Sequence, residues 1–107
     1  MFTLLARLKL QPGKRQEALP VLEELARQVE ANEPDTLAYL FHFHFSQDDP
    51  DEVVVFELYR DEDAFRFHRR APHVGELFKR LGALMVEDGA RLERLDRLTG
   101  FVRKERL

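Results

Sequence analysis

Hydrophobic and polar residues alternate in three stretches of the chain, and this alternation is the pattern of a β-strand. Residues 2–10 form the first stretch, which "QPG" ends. Residues 36–45 and 52–59 follow, separated by the turn-rich sequence "SQDDPD", so we expect them to pair as a hairpin. One face of the second stretch carries Leu37, Tyr39, Phe41, Phe43 and Phe45, and the other carries Ala38, Leu40, His42 and His44. The third stretch is apolar on both faces, so both sides of the sheet must be covered.

The residues between the first two strands predict an amphipathic helix, because apolar side chains recur there three or four positions apart. The pattern runs from about Lys14 to Ala31, and "NEPD" ends it. Pro20 lies inside the pattern and would cost about 3 kcal/mol in a helix interior. We therefore expect the helix to kink at Pro20 or to begin only shortly before it.

Two shorter helical segments follow the third strand. Asp61 is suited to cap the first, which runs to about Arg70 and is interrupted by Pro72. The second continues at helical spacing to about Met85. "EDG" then leads into residues 90–98, whose leucines lie three apart, a spacing that also fits a helix. We interpret this last segment as a strand because of the order of the elements before it.

The resulting order, β-α-β-β-α-β, is that of a ferredoxin-like α+β domain, in which helices cover one face of a four-stranded antiparallel sheet. The other face of the sheet stays open. Because the strands are apolar on both faces, we expect the open face to pack against a second copy of the chain as a homodimer. At 107 residues the chain forms one domain, residues 1–107.

The composition limits the kinds of partner that we expect the protein to bind. The net charge is −3 and the charged residues, 35% of the chain, are spread without long blocks of one sign. This argues against a nucleic-acid partner or an anionic membrane surface, which require a concentrated basic face. The N-terminal residues show no signal peptide or membrane span. There is no cysteine, which fits a reducing cytoplasm.

The run "ELYRDEDAFRFHRRAPH", residues 57–73, together with "QPGK", "EPDTLAY" and "LTGF", resembles the antibiotic biosynthesis monooxygenase family. The resemblance covers nearly the whole chain. It implies a dimeric ferredoxin-like protein, a dimeric α+β barrel, with a small-molecule cavity between sheet and helices in each subunit. We expect the C-terminal tail, residues 98–107, to extend toward the partner subunit. The family includes cofactor-free oxygenases, quinol monooxygenases, haem-degrading enzymes and a phospho-sugar isomerase, so fold alone does not settle the reaction.

Carried over residue by residue, the resemblance places His68 on the histidine of the family motif and His73 on the histidine after its proline. Glu57 and Tyr59 fall on its strand positions, and we expect both to contact the substrate. The haem-degrading branch fits poorly, since Ala6 stands where that branch has asparagine, Phe78 lies near its haem-binding histidine, and the chain has no tryptophan. We therefore expect no cofactor.

His68 also stands out by its position on the predicted helix. It follows Ala64 by four residues and Phe65 by three, so it should face the sheet. An imidazole there has a pKa near 6.5 before burial, which suits a general base at neutral pH. The alternative is a buried histidine that pairs with a backbone carbonyl or with Glu57. His73 begins a helical segment, where it would cap the helix, pair with an acid or touch a ligand.

The remaining polar positions give weaker predictions. His42 and His44 share one strand face, but two imidazoles without a third ligand do not make a metal site. We expect them at a dimer interface or on the sheet surface, and we predict no metal. Arg7 stands on a mostly apolar strand, where it would hold an anionic substrate group or form an interface ion pair. Tyr39 is a further candidate for orienting substrate.

These observations give three hypotheses. The first is a cofactor-independent monooxygenase that acts with molecular oxygen on an electron-rich phenol, anthrone or hydroquinone. His68 would be its catalytic base, and His73, Tyr39 and Arg7 would orient substrate or hold its anion. The second is a proton-shuttling isomerase that uses His68 and His73 and acts on a small hydroxy-ketone, with or without a phosphate group. The third is a dimeric protein that binds a small molecule without turnover.

Overall fold

Four strands and three helices make up the part of the chain that this computed structural model describes, residues 1–103. In chain order they are β1 (Phe2–Leu10), α1 (Arg15–Asn32), β2 (Thr36–Phe43), β3 (Glu52–Tyr59), α2 (Glu62–Arg70), α3 (Pro72–Gly82) and β4 (Met85–Leu95). The strands form one antiparallel sheet in the order β2-β3-β1-β4. This confirms the ferredoxin-like α+β prediction, with the second predicted helical region divided into α2 and α3 at Pro72.

Cross-strand pairing determines which side chains share a face of the sheet. Glu57 in β3 pairs with Leu4 in β1 on one side and with Tyr39 in β2 on the other. Ala6, Val55 and Phe41 form the neighbouring row, and all of these side chains face the helices. The intervening residues of each strand face the open side of the sheet.

The helices lie on this covered face because each buries one apolar stripe. Five residues of α1 are buried at helical spacing: Ala18, Val21, Leu22, Leu25 and Val29. The first three pack with β1 and β3, while Leu25 and Val29 pack with residues of α3. α2 begins where predicted, since the Asp61 side chain accepts a hydrogen bond of 2.9 Å from the backbone N–H of Ala64.

α1 begins close to where the pattern predicts it, but four other boundaries differ from the sequence-based expectation. Two of them are the ends of β2 and β4, which lie at Phe43 and Leu95 rather than at residues 45 and 98. α1 begins at Arg15, so Pro20 lies in its second turn, where only one backbone hydrogen bond is lost. α3 ends at Gly82 rather than near Met85, and β4 begins at Met85 rather than at residue 90. "EDG" is therefore a bulge within β4 and not a turn before it.

The bulge has a clear steric basis. Leu10 pairs with Met85 and Leu8 with Ala90, so the residues between Met85 and Ala90 outnumber their partners on β1. Asp88 adopts a positive φ of 55°. A Cβ on Gly89 would lie 2.8 Å from the carbonyl oxygen of Lys9, so only glycine fits there without a shift of the backbone.

The open face and the C-terminal segment remain without a cover in the single chain. Leu40 in β2, Phe56 in β3 and Leu5 in β1 form an apolar row across the open face, and Leu40 is 53% exposed. Leu98 and Phe101 in the tail are also largely exposed. Residues 104–107 of the predicted tail lie outside the described residues. Among residues 1–103, no helix has the length and hydropathy that crossing a membrane requires.

Candidate functional site

A cavity of about 310 Å³ lies between the sheet and helices α2 and α3. Its walls come mostly from apolar and aromatic side chains: Leu4, Ala6, Leu8, Tyr39, Phe41, Val55, Phe65, Val74, Phe78 and Leu92. Besides Tyr39, three titratable side chains line it, His68, Glu57 and Arg69. An apolar cavity with a few convergent polar groups is the usual form of a small-molecule site.

His68 is held in this cavity by aromatic neighbours and by an acid. Only 6% of the residue is exposed, and its ring centroid lies 5.2 Å from that of Tyr39 and 5.5 Å from that of Tyr59. Its Nδ1 lies 2.9 Å from Oε1 of Glu33. Burial lowers the pKa of His68 below 6.5, although the negative charge of Glu33 acts in the opposite direction. The lowered pKa favours the neutral imidazole at pH 7, the form that a general base needs.

Glu33 connects the two motif histidines and was not identified from the sequence. It follows α1 in the "NEPD" turn and is only 3% exposed. Its Oε2 accepts a hydrogen bond of 2.6 Å from Nε2 of His73, and its Oε1 accepts one of 2.9 Å from the hydroxyl of Thr36. His68 thus pairs with an acid, as the alternative interpretation held, but the acid is Glu33 rather than Glu57. His73 also pairs with an acid and does not line the cavity.

Glu57 is the second proton-carrying group in the cavity. It lies on β3, is 5% exposed and accepts a hydrogen bond from the hydroxyl of Tyr59. Burial raises the pKa of the Glu57 carboxyl to about 7, so a large share of it is protonated at neutral pH. Burial and the neighbouring Glu57 also raise the pKa of Tyr59 far above its usual range. Tyr59 therefore contacts Glu57 without lining the cavity itself, whereas Tyr39 lines the cavity directly.

Arg7 is not brought to this cavity. It points to the open face of the sheet, where its Nη1 lies 3.1 Å from Oε1 of Glu52 in the same chain. The cation that lines the cavity is Arg69, on the last turn of α2, whose guanidinium carbon lies 5.7 Å from the centre of the Phe65 ring. A group that could hold an anion is thus supplied by a residue that the sequence did not single out.

His42 and His44 occupy the other side of the molecule. His42 lies on the open face and its Nδ1 donates to the carbonyl of Val54 over 3.0 Å, while His44 lies just past the end of β2. Potential metal-ligand atoms of His44, Asp49 and Glu52 lie within 4.8 Å of one another, and this group was not predicted from the sequence. Lys9 and Arg7 already pair with the two carboxylates, so their charge is neutralised without a metal ion.

The two positions that the resemblance associates with haem, Ala6 and Phe78, both line the cavity. Neither carries a donor atom that could ligate iron. The side chains at these positions therefore fit an apolar substrate better than a haem group.

Comparisons with known proteins agree with this architecture. Residues 1–80 match the family model described as antibiotic biosynthesis monooxygenase. No curated protein matches the chain. A crystal structure of a Caulobacter crescentus protein assigned to the same family is 31% identical, with a TM-score of 0.82 over 92% of this chain and 90% of that one.

Two more distant structures show the same fold. A protein from Deinococcus radiodurans is 17% identical, with a TM-score of 0.79 over 96% of this chain and 98% of that one. A protein from Nitrosomonas europaea is also 17% identical, with a TM-score of 0.80 over 92% of this chain and 100% of that one. Because the family model covers most of the sequence and the Caulobacter structure covers nearly all of it, this chain belongs to the antibiotic biosynthesis monooxygenase family.

Proposed function

We propose that this protein is a cofactor-independent monooxygenase whose substrate is an electron-rich phenol, anthrone or hydroquinone. The observation that carries the proposal is the position of His68, a buried imidazole in the wall of a mostly apolar cavity that the carboxyl of Glu57 also lines. Aromatic side chains line much of the cavity and match a planar aromatic ligand. The assignment to a monooxygenase family supports the same reaction class.

The proposed chemistry needs a base, a dry environment and stabilisation of an anion. His68 takes a proton from the substrate, and the resulting electron-rich anion passes an electron to molecular oxygen. For an anthrone, the ring CH₂ becomes a carbonyl, one oxygen atom enters the product and the other leaves as water. The substrate supplies all the electrons, so the balance requires no added reductant.

Glu57 and Arg69 are suited to stabilise the anion. A carboxyl with a pKa of about 7 can donate a hydrogen bond to a developing oxyanion while Tyr59 binds its other oxygen. Arg69 adds a positive charge to the cavity wall. Tyr39 completes the aromatic wall and orients the ring of the substrate, and His73 acts only indirectly, through Glu33.

The test is oxygen consumption by the purified protein with a panel of hydroquinones and anthrones. We expect uptake above spontaneous autoxidation with at least one substrate. Product analysis under ¹⁸O₂ should show one labelled atom in the product. Uptake that equals the protein-free control for every substrate would contradict the proposal.

A specific observation favours a second reaction, isomerisation of a small hydroxy-ketone. The cavity holds two groups that can exchange protons, His68 and Glu57, of which Glu57 has a pKa of about 7, and a cation, Arg69, that suits a phosphate group. One group would remove a proton from carbon while the other protonates the carbonyl oxygen. Product formation under nitrogen, without oxygen uptake, would identify this reaction. Ligand protection against thermal unfolding without any turnover would instead indicate a binding protein.

We also propose that the protein works as a cytoplasmic homodimer. The row of Leu5, Leu40 and Phe56 leaves apolar surface on the open face, and the tail after β4 carries further exposed apolar residues, Leu98 and Phe101. Burying this surface against a second copy would remove it from water. Sedimentation should give twice the chain mass of 12.6 kDa, and Phe56→Asp should give the single-chain mass. A monomeric native protein at micromolar concentration would contradict the dimer.

A further inference from the structure

The strongest unassigned feature of the molecule is Glu33, a carboxylate that is 3% exposed and contacts both motif histidines. We propose that Glu33 is a positioning residue for the site, which fixes His68 in the tautomer that presents Nε2 as the base. The inference rests on the proposed role of His68 as proton acceptor. It adds to that role a residue far from the motif in sequence.

The tautomer follows from hydrogen-bond chemistry. A carboxylate can only accept, so the ring nitrogen that faces it must carry the proton. In His68 this nitrogen is Nδ1, which lies 2.9 Å and 3.2 Å from the two oxygens of Glu33. The lone pair of the neutral ring is therefore on Nε2, the nitrogen on the other side of a ring that lines the cavity.

Glu33 is itself held in place. Its two oxygens accept hydrogen bonds from His68, His73 and the hydroxyl of Thr36, which fix the plane of the carboxylate. These donors come from three different elements, α2, α3 and β2, so the carboxylate joins the two helices to the edge of the sheet. Because His73 contacts Glu33 and does not line the cavity, its role is to orient the acid that orients the base.

The carboxylate also compensates the charge that forms on His68. When His68 accepts a proton at Nε2, the substrate bond to that proton breaks and the ring becomes an imidazolium. A negative charge at 2.9 Å stabilises this ion, and the stabilisation is larger in a buried site than in water. Glu33 thus favours proton transfer to His68, while burial of the ring acts in the opposite direction and favours the neutral imidazole before the transfer.

The first test is independent of any reaction. Long-range ¹H–¹⁵N spectra of the native protein above pH 7 should show His68 protonated at Nδ1 and unprotonated at Nε2. The opposite assignment would overturn the proposal whether or not the protein is an oxygenase. If no substrate is turned over, the proposed function fails while this spectrum still decides the role of Glu33.

The kinetics of two variants distinguish the effect of the Glu33 hydrogen bond on the position of His68 from the effect of the Glu33 charge. Glu33→Gln keeps an oxygen that can accept from Nδ1 but removes the charge, and Glu33→Ala removes both. We expect kcat to fall about 100-fold in Glu33→Ala and less in Glu33→Gln, with KM changed little, because the cavity wall is unaltered. Glu30→Gln, the same change at an exposed position of α1, should match the native protein. Folded variants with native kcat would overturn the proposal.

Two further readouts distinguish a positioning role from a merely structural one. Glu33 also lines a surface pocket of about 350 Å³, so added formate can reach the space left in Glu33→Ala and should restore part of kcat. The pKa of His68 should fall further in Glu33→Gln, because the charge of Glu33 raises it in the native protein. The other titratable groups near the ring are His73, Tyr39 and Tyr59, and Glu57 and Arg69 line the same cavity; all of them are unchanged in this variant. An unchanged His68 pKa would overturn the charge argument.

Discussion

Two clusters of histidine and carboxylate lie on opposite faces of the same sheet, and they differ chiefly in burial. On the covered face, His68 and Glu33 have side chains only 8% and 2% exposed. On the open face, His44 and Glu52 are joined by a hydrogen bond of similar length, 2.8 Å, but their side chains are 32% and 18% exposed.

The difference determines what each cluster can do. In the outer cluster Arg7 and Lys9 pair with the carboxylates, so the acidic groups are neutralised by permanent cations near solvent. In the buried cluster the partners of Glu33 are two imidazoles and a hydroxyl, all of which can exchange protons or reorient. The same residue types thus form an ordinary surface network on one face and, on the other, a buried network around His68, the proposed base.

The largest expected effect is on activity, from a matched pair of histidine substitutions. His68→Ala should reduce kcat about 100-fold or more, since a positioned general base contributes about 10² to 10⁴. His44→Ala should leave kcat within about twofold of the native value, because the His44 imidazole pairs with Glu52 on the open face and does not contact the cavity. Steady-state oxygen uptake measures both. Equal losses in the two variants would remove the distinction between the clusters.

The next effect is on stability and its pH dependence. The pKa of Glu57 is about 7 in the folded protein and about 4.5 when the chain is unfolded, so ionising it in the fold is unfavourable. The sign follows: native stability falls as pH rises from about 4.5 to about 7, by roughly 3 kcal/mol from this one group. Glu57→Gln keeps an acceptor for Tyr59 and should remove that loss.

Urea unfolding of both proteins at several pH values measures this effect. The stability difference in favour of Glu57→Gln should grow from pH 5 to pH 8. Because the pKa of His68 is lowered, it contributes an opposite slope below about pH 6.5, which both proteins share. A difference that is constant with pH would show that Glu57 is ionised throughout.

The smallest effect concerns the outer cluster. Glu52→Gln removes the ion pair with Arg7, whose side chain is 37% exposed, so the free energy of unfolding should fall by less than about 1 kcal/mol. The difference should shrink in 1 M salt, which screens exposed charges. Urea unfolding at low and high salt measures it. A salt-independent loss of more than about 2 kcal/mol would mean that this cluster is as consequential as the buried one.

The alternation of side chains made the first three strands predictable, because successive residues of a strand point to opposite faces of the sheet. The last strand was predicted too short at its beginning because Asp88 and Gly89 resemble a turn and instead form a bulge within β4. The leucines at spacing three gave no help, because two of them lie exposed on the strand and one lies beyond it. A bulge is set by the partner strand, which the local sequence does not contain.

The site was predicted in part for a related reason. The helical spacing identified His68, because it places the side chain on the apolar face of the helix. The family motif identified Glu57, which lies within it. Glu33 was missed because its contact with His68 spans 35 positions in sequence and it sits in a turn interpreted only as the end of a helix. Glu33 begins "EPDTLAY", one of the stretches that carry the family resemblance, and this was the only sequence feature that pointed to it. For Arg7 the sequence left two roles open, binding of an anionic substrate group or an ion pair. Its side chain lies on the face of β1 away from Leu4, Ala6 and the helices, where it pairs with Glu52.

The most direct test of the central claim, that the covered-face cavity around His68 is the functional site, uses the four histidines as reporters. A non-oxidisable hydroxyaromatic ligand is titrated under nitrogen while long-range ¹H–¹⁵N spectra follow all four rings. We predict that the Nε2 resonance of His68 shifts saturably while the resonances of His42 and His44 stay unchanged. Saturable shifts of His42 and His44 with His68 unaffected would place the ligand on the open face and contradict the account.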